Sequence, residues 1–65
     1  MRVILNGEEL EITSNNIADL LEEIDAPTRG IAVEVNNEII PKSLHADTNL
    51  SDKDVIEIVG FIGGG

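Results

Sequence analysis

Cysteine, tryptophan and tyrosine are absent from this 65-residue chain, and histidine and phenylalanine occur once each. Without cysteine there is no disulfide, no thiolate nucleophile and no thiolate metal site. His45 has no second histidine with which to hold a metal, and it reads as a solvent-exposed loop residue rather than a catalytic base. Basic side chains are scarce too. Four lysines and arginines stand against 13 acids, for a net charge of −9. That balance disfavours nucleic acid and anionic membranes and suits a partner with a basic docking surface, although the same acidity keeps a tiny domain soluble. No apolar run is long enough to span a bilayer, and the opening MRVILNGEEL lacks a signal-peptide pattern, so a cytoplasmic protein is expected. Ser14, Ser43 and Ser51 sit in turn-like contexts with no base beside them. Nothing suggests a pocket that would perturb the many carboxylates. The chain is not expected to be an enzyme.

What is present is aliphatic and patterned, with 42% hydrophobic residues, enough for one small folded domain. The stretch DVIEIVGFIGGG from Asp54 to Gly65 organises the rest. Val55, Ile56, Ile58 and Val59 have the β-branched character of a buried strand. Gly63, Gly64 and Gly65 then offer a thin lead with no Cβ and an α-carboxylate at its tip. Extended at about 3.3–3.6 Å per residue, Phe61 to Gly65 would reach roughly 15 Å beyond the sheet. A frayed terminus or an expression scar would look the same in isolation, so the remaining chain has to decide.

Arg2 to Leu5 reads as a strand, and Asn6-Gly7 is a two-residue hairpin signal, since a type I′ turn needs positive φ at both positions. That loop sets Leu5 opposite Glu8, Val3 opposite Leu10 and Met1 opposite Ile12, gathering the apolar residues on one face. Arg2 then lies across from Glu11 on the other. Asn15 or Asn16 caps a helix whose Ile17, Leu20, Leu21 and Ile24 share one side. Pro27 is expected to end it, with Thr28, Arg29 and Gly30 as the turn back. Glu22, Glu23 and Asp25 are expected to form a solvated acidic face. Ile31 to Val35 is the next strand, and Asn36-Asn37 a second tight turn that pairs Val35 with Glu38 and Val33 with Ile40. Pro41 falls at a strand end. Leu44 and Leu50 are expected as core plugs in the irregular stretch before Ser51 to Asp54 turns into the last strand. The order is strand, strand, helix, strand, strand, strand. The last strand fits beside the first, which makes a mixed sheet of about five strands covered on one face by the helix, an α+β fold.

With Ile56 and Ile58 inward, Val55, Glu57, Val59 and Phe61 point outward, joined by Ile4, Ala32, Glu34 and Ile39. This apolar strip ringed by acids reads as a docking surface. Ile4, Val59, Phe61 and Ile62 are the partner-contact candidates, with Phe61 the rigid anchor at the foot of the tail.

The element order and terminal glycines resemble the ubiquitin-like β-grasp family. More narrowly, MRVILNGEEL, IADLLEEI, IAVEVNNEIIPKS and DVIEIVGFIGGG resemble the bacterial sulfur carrier proteins of thiamine biosynthesis. The chain departs from that pattern at three loop positions. Lys53 and Asn37 stand where the family often has glycine, and His45 lies near a usual aromatic. The resemblance implies a β-grasp domain over residues 1–62 and a flexible glycine tail over 63–65. It implies that a ubiquitin-activating-type adenylyltransferase, using ATP and Mg²⁺, adenylates Gly65. Sulfur from a cysteine desulfurase or equivalent donor would then give a thiocarboxylate, which serves thiazole synthase. The chain itself would bind no cofactor. The small subunit of molybdopterin synthase shares fold and tail chemistry and is the near alternative; a protein modifier or plain interaction domain is the distant one.

Overall fold

The computed structural model describes residues 1–27 and 29–60; the expectations for Thr28, Phe61, Ile62, Gly63, Gly64 and Gly65 lie outside them. Strands β1 (Arg2–Leu5) and β2 (Glu8–Glu11) precede helix α1 (Ile17–Glu23). Then come β3 (Ile31–Val35), β4 (Glu38–Ile40), a 3-10 turn over Lys42–Leu44, and β5 (Val55–Gly60). They form one sheet in the order β2-β1-β5-β3-β4, with β5 parallel to β1 and antiparallel to β3. The last strand therefore sits in the middle.

Both hairpins have the register that their two-residue turns dictate. Asn6 and Gly7 lie at φ 49° and 85°, Asn36 and Asn37 at 52° and 71°, and Leu5 pairs with Glu8 and Val35 with Glu38. The first hairpin continues past β1, because the Met1 amino group and Ile12 carbonyl meet at 3.0 Å and the reverse bond is 2.8 Å. Arg2 reaches Glu11 at 3.3 Å on the exposed face.

Every N–H of the first helical turn has a partner. Asn16, extended at φ −142°, accepts from the Asp19 N–H at 2.8 Å through its side-chain oxygen. The Ile17 and Ala18 N–H groups donate to the Thr48 and His45 carbonyls, each at 3.2 Å. The loop between β4 and β5 thus caps the helix that packs beside it. The C-terminal end differs from expectation. Pro27 is not the terminator: the helix stops four residues earlier, where Asp25 enters the left-handed region at φ 58°. The Ala26 N–H then returns to the Leu21 carbonyl at 2.8 Å and the Asp25 N–H to that of Glu22 at 3.1 Å. This paired closure is a Schellman motif, with aspartate in the place usually held by glycine.

Val3, Ile12, Ile17, Leu20, Leu21, Val33, Leu50 and Ile56 form the buried core, with Leu5, Ile24, Ile40 and Ile58 packed against it. Each fully buried aliphatic side chain stabilises the fold by about 1.5–3 kcal/mol before the entropy of ordering it is counted. Two assignments change. Leu44 is 48% exposed and is not a core plug, whereas His45 is buried at 8% and is not a solvent-exposed histidine. The cause is local geometry. At 3.0 residues per turn, successive 3-10 side chains point in different directions, so only one neighbour can face inward. His45 takes that position because its Nε2–H donates to the Ile40 carbonyl at 3.0 Å. The partly buried Ile40 carbonyl gains a partner that leucine cannot offer.

Candidate functional site

β5 is the strand that leads toward the terminal glycines, and the fold holds it firmly. The Ile4 N–H bonds to the Asp54 carbonyl at 2.9 Å where β1 and β5 begin to pair. Parallel pairing with β1 covers only Val55 and Ile56, while antiparallel pairing with β3 continues to Gly60, which lies beside Ile31. Past the Asn6 turn, β5 therefore has a strand neighbour on the β3 side alone. There the Asn6 side-chain oxygen accepts the Ile58 N–H at 2.8 Å and so satisfies an edge donor.

Alternation along β5 buries Ile56 and half-buries Ile58 while turning Val55, Glu57 and Val59 out. The registers set Ile4 beside Val55, Ala32 beside Val59, and Glu34 between Glu57 and Ile39. Ile39 is 65% exposed, Val59 47% and Val55 40%. Among the described residues, three of the four large hydrophobic side chains that are most exposed thus share one sheet face, and the helix covers the other. Ile4 and Val59 both belong to this outer face, roughly 13 Å apart along the strand direction. The candidates Phe61, Ile62, Gly63, Gly64 and Gly65 lie outside the described residues.

The expected solvated acid face is corrected at one position. Glu23 folds back over the loop before α1 and accepts from the Thr13 N–H at 3.1 Å and the Ser14 N–H at 3.0 Å. It also takes both hydroxyls of those residues, with Ser14 Oγ in direct hydrogen bond to Oε1. The Ser14 hydroxyl, then the Thr13 amide, hold the Glu23 carboxyl below its ordinary value. Ser14 is buried in this clasp and is bound as a donor, which suits a structural hydroxyl rather than a nucleophile.

A groove of about 650 Å³ runs between α1 and the 3-10 turn, with Leu21, Ile31 and Ile40 on its apolar walls and His45 among its lining residues. Arg29 and Lys42 line it together with Glu22 and Asp25, so its charges balance. The sequence pattern gave no hint of it, because its walls come from three separate segments. Among the described residues, no group of three or more His, Cys, Asp or Glu is placed to hold a metal, and no helix is long and apolar enough to cross a membrane. What the arrangement offers is an aliphatic sheet face with an acid pair at its centre, carried by the strand that runs into the tail.

Known proteins resemble this chain in sequence and in fold. The chain matches the ThiS family over residues 3–65. It is 41% identical to the sulfur carrier protein ThiS of Bacillus subtilis, over 94% of this chain and 96% of that protein. It is 44% identical to a thiazole synthase of Paramagnetospirillum magneticum, where all of this chain corresponds to only 20% of the relative's length. The crystal structure of thiamine biosynthesis protein ThiS from Geobacter metallireducens matches with a TM-score of 0.86 at 28% identity, covering 100% of both chains. The mixed five-stranded sheet with one helix is the ubiquitin-like β-grasp, and a match along nearly the whole sequence settles the kinship: this chain belongs to the ThiS family.

Proposed function

We propose that this chain is a sulfur carrier in thiamine biosynthesis, a co-substrate rather than an enzyme, with the α-carboxylate of Gly65 as its working group. The observation that carries this reading is the family match, which extends through the glycines to residue 65. A carboxylate with a pKa near ~3.5 is ionised at neutral pH and is a poor electrophile. Attack of its oxygen on the α-phosphorus of ATP, with Mg²⁺ and an activating adenylyltransferase, expels pyrophosphate and forms an acyl-adenylate. A persulfide sulfur charged by a cysteine desulfurase or an equivalent donor then displaces AMP to give an acyl disulfide, and a reducing thiol cleaves its S–S bond, leaving a thiocarboxylate and a new disulfide. The likeness to one fifth of a protein named thiazole synthase supports that enzyme as the acceptor. Acid–base and nucleotide-binding groups belong to these partners, in the cytoplasm. Gly63 and Gly64 suit a narrow active-site channel because they carry no Cβ. Phe61 and Ile62, with Ile4 and Val59 on the outer sheet face, make the contacts that orient the tail.

The test is the intact mass of the full chain after incubation with ATP, Mg²⁺, the activating enzyme and a sulfur source. Replacement of one oxygen by sulfur is expected. An unchanged mass, or attachment to another protein through an isopeptide bond, overturns the reading.

A further inference from the structure

Two glutamates face each other at the centre of the outer sheet face. The β3–β5 register sets Glu34 directly beside Glu57. Val33 and Ile56 are buried and Val35 and Ile58 are partly buried against the same core, so alternation carries both carboxylates out on the exposed side. Like charges directly opposite each other on neighbouring strands weaken a sheet. Among the described residues no cationic group pairs with either acid. Among the described residues the ion pairs are Met1–Glu11, Arg2–Glu9 and Arg2–Glu11, all at the β1–β2 side of the sheet. The residues outside the description, Thr28 and 61–65, include no lysine, arginine or histidine. Around the acids lie Val55 and Val59 on β5, Ala32 on β3 and Ile39 on β4. The face is therefore an unpaired double negative charge within an aliphatic ring, on the strand that leads to the tail.

We infer that this face docks a partner surface bearing one arginine, whose guanidinium enters between Glu34 and Glu57 while apolar side chains seat on the surrounding ring. The inference rests on the carrier reading and makes the partner the protein that activates the terminal carboxylate. Arginine fits better than lysine, because its planar fork can serve two carboxylates at once and sheds water more readily. The position fits as well. Glu57 precedes Gly65 by eight residues, so an anchor there limits the carboxylate to about 26–29 Å of chain.

The two charges should affect the free protein and the complex in opposite directions, which separates docking from support of the fold. Binding of the full chain to its activating enzyme would be measured by calorimetry without ATP. Glu34→Gln and Glu57→Gln are each expected to weaken the Kd roughly tenfold or more, while the Tm of the free chain stays level or rises. Glu22→Gln, on the helix side, controls for net charge and should change the Kd little. If all three variants bind alike, the acid pair is no docking element. A Glu57→Gln chain that melts below wild type assigns the pair to the fold itself and likewise overturns the inference. Normal sulfur loading of wild type with unaffected binding of both variants overturns the docking alone. Failure of wild type to gain sulfur overturns the carrier reading and the docking with it.

Discussion

Asn6 and Asn36 grip β5 from opposite edges by the same device. Each is the first residue of a two-residue turn, at φ 49° and 52°. Their N–H groups donate to the Ile56 and Val55 carbonyls at 2.9 and 2.7 Å. Their side-chain oxygens accept from the Ile58 and Val55 N–H groups at 2.8 and 3.0 Å. Asn36 adds a bond from its side-chain nitrogen to Asp54 at 3.0 Å. Asparagine suits both places because it tolerates positive φ and still carries an amide that can reach the next strand.

Replacing Asn36 separates these roles. Asn36→Gly keeps the backbone conformation and loses two side-chain bonds, so urea unfolding should register a loss of about 1–2 kcal/mol. Asn36→Ala should cost about 1 kcal/mol more, because alanine also pays for the left-handed region. Equal stability of the glycine variant and wild type would show that the side-chain bonds contribute nothing.

Lys53 sits at φ 72° just before β5 and donates its N–H to the Arg2 carbonyl at 2.6 Å. Neither requirement uses its side chain. Lys53→Gly is therefore expected to stabilise the domain by about 0.5–1 kcal/mol and to raise the Tm by a few degrees. Asn37→Gly, at φ 71°, should gain less, since asparagine is already tolerant there. A lower Tm for Lys53→Gly would mean that the lysine side chain holds the turn.

Glu23 makes stability depend on acid. Its carboxyl is held below the ordinary value of 4.5, chiefly by the Ser14 hydroxyl and the Thr13 amide. The folded state thus favours the charged form. This contribution is fully present above pH 4.5 and disappears as the pH falls through the lower folded-state value. Tm profiles of wild type and Glu23→Gln should be separated at neutral pH and converge below pH 4.5. Parallel profiles down to acid would remove the clasp from the account.

His45 links three segments, through Nε2 to Ile40 and through its carbonyl to the Ala18 N–H. His45→Ala should cost about 1–3 kcal/mol by leaving the Ile40 carbonyl without that donor. His45→Phe keeps the bulk and should recover part of the loss. If alanine melts with wild type, the imidazole is not a structural link.

Removing Gly65 should abolish adenylation and sulfur loading. One residue fewer retracts the carboxylate by about 3.3–3.6 Å, far beyond what reactive alignment tolerates. An extension beyond Gly65 converts the carboxylate to an amide and should be equally inert. Loading of the shortened chain at the normal rate, read by intact mass, would overturn the carrier reading.

Much of this fold is legible in the sequence because two-residue turns leave no freedom of register. Once Asn6-Gly7 and Asn36-Asn37 are recognised, the facing residues of both hairpins follow, and with them the inner and outer sheet faces. The helix follows from its spacing, and the place of β5 beside β1 from the slot left open there, whereas its pairing with β3 on the other side follows from no local pattern. The misreadings fall where partners are distant or a segment is too short for a pattern. The Asp25 closure depends on backbone conformation rather than on the visible breaker Pro27. Glu23 finds amides ten and nine residues upstream, which no charge pattern reveals. A single 3-10 turn has no periodicity to say that His45, and not Leu44, faces inward. Lys53 and Asn37, conspicuous as departures from glycine, coincide with two of the left-handed positions.

The central place of β5 has a consequence for how the chain comes off the ribosome. The hairpins β1–β2 and β3–β4 share no strand pairing; within the sheet each is joined to the other only through β5. A two-stranded hairpin is marginal in water by itself. The Ile4–Val55 pairing joins β1 to β5, so the sheet closes only after β5 has been synthesised. A nascent chain that stops short of Val55 has two loose hairpins and no seam to join them. The strand that leads toward the terminal glycines is also the one that completes the sheet, so a product stopped before Val55 presents no assembled outer face.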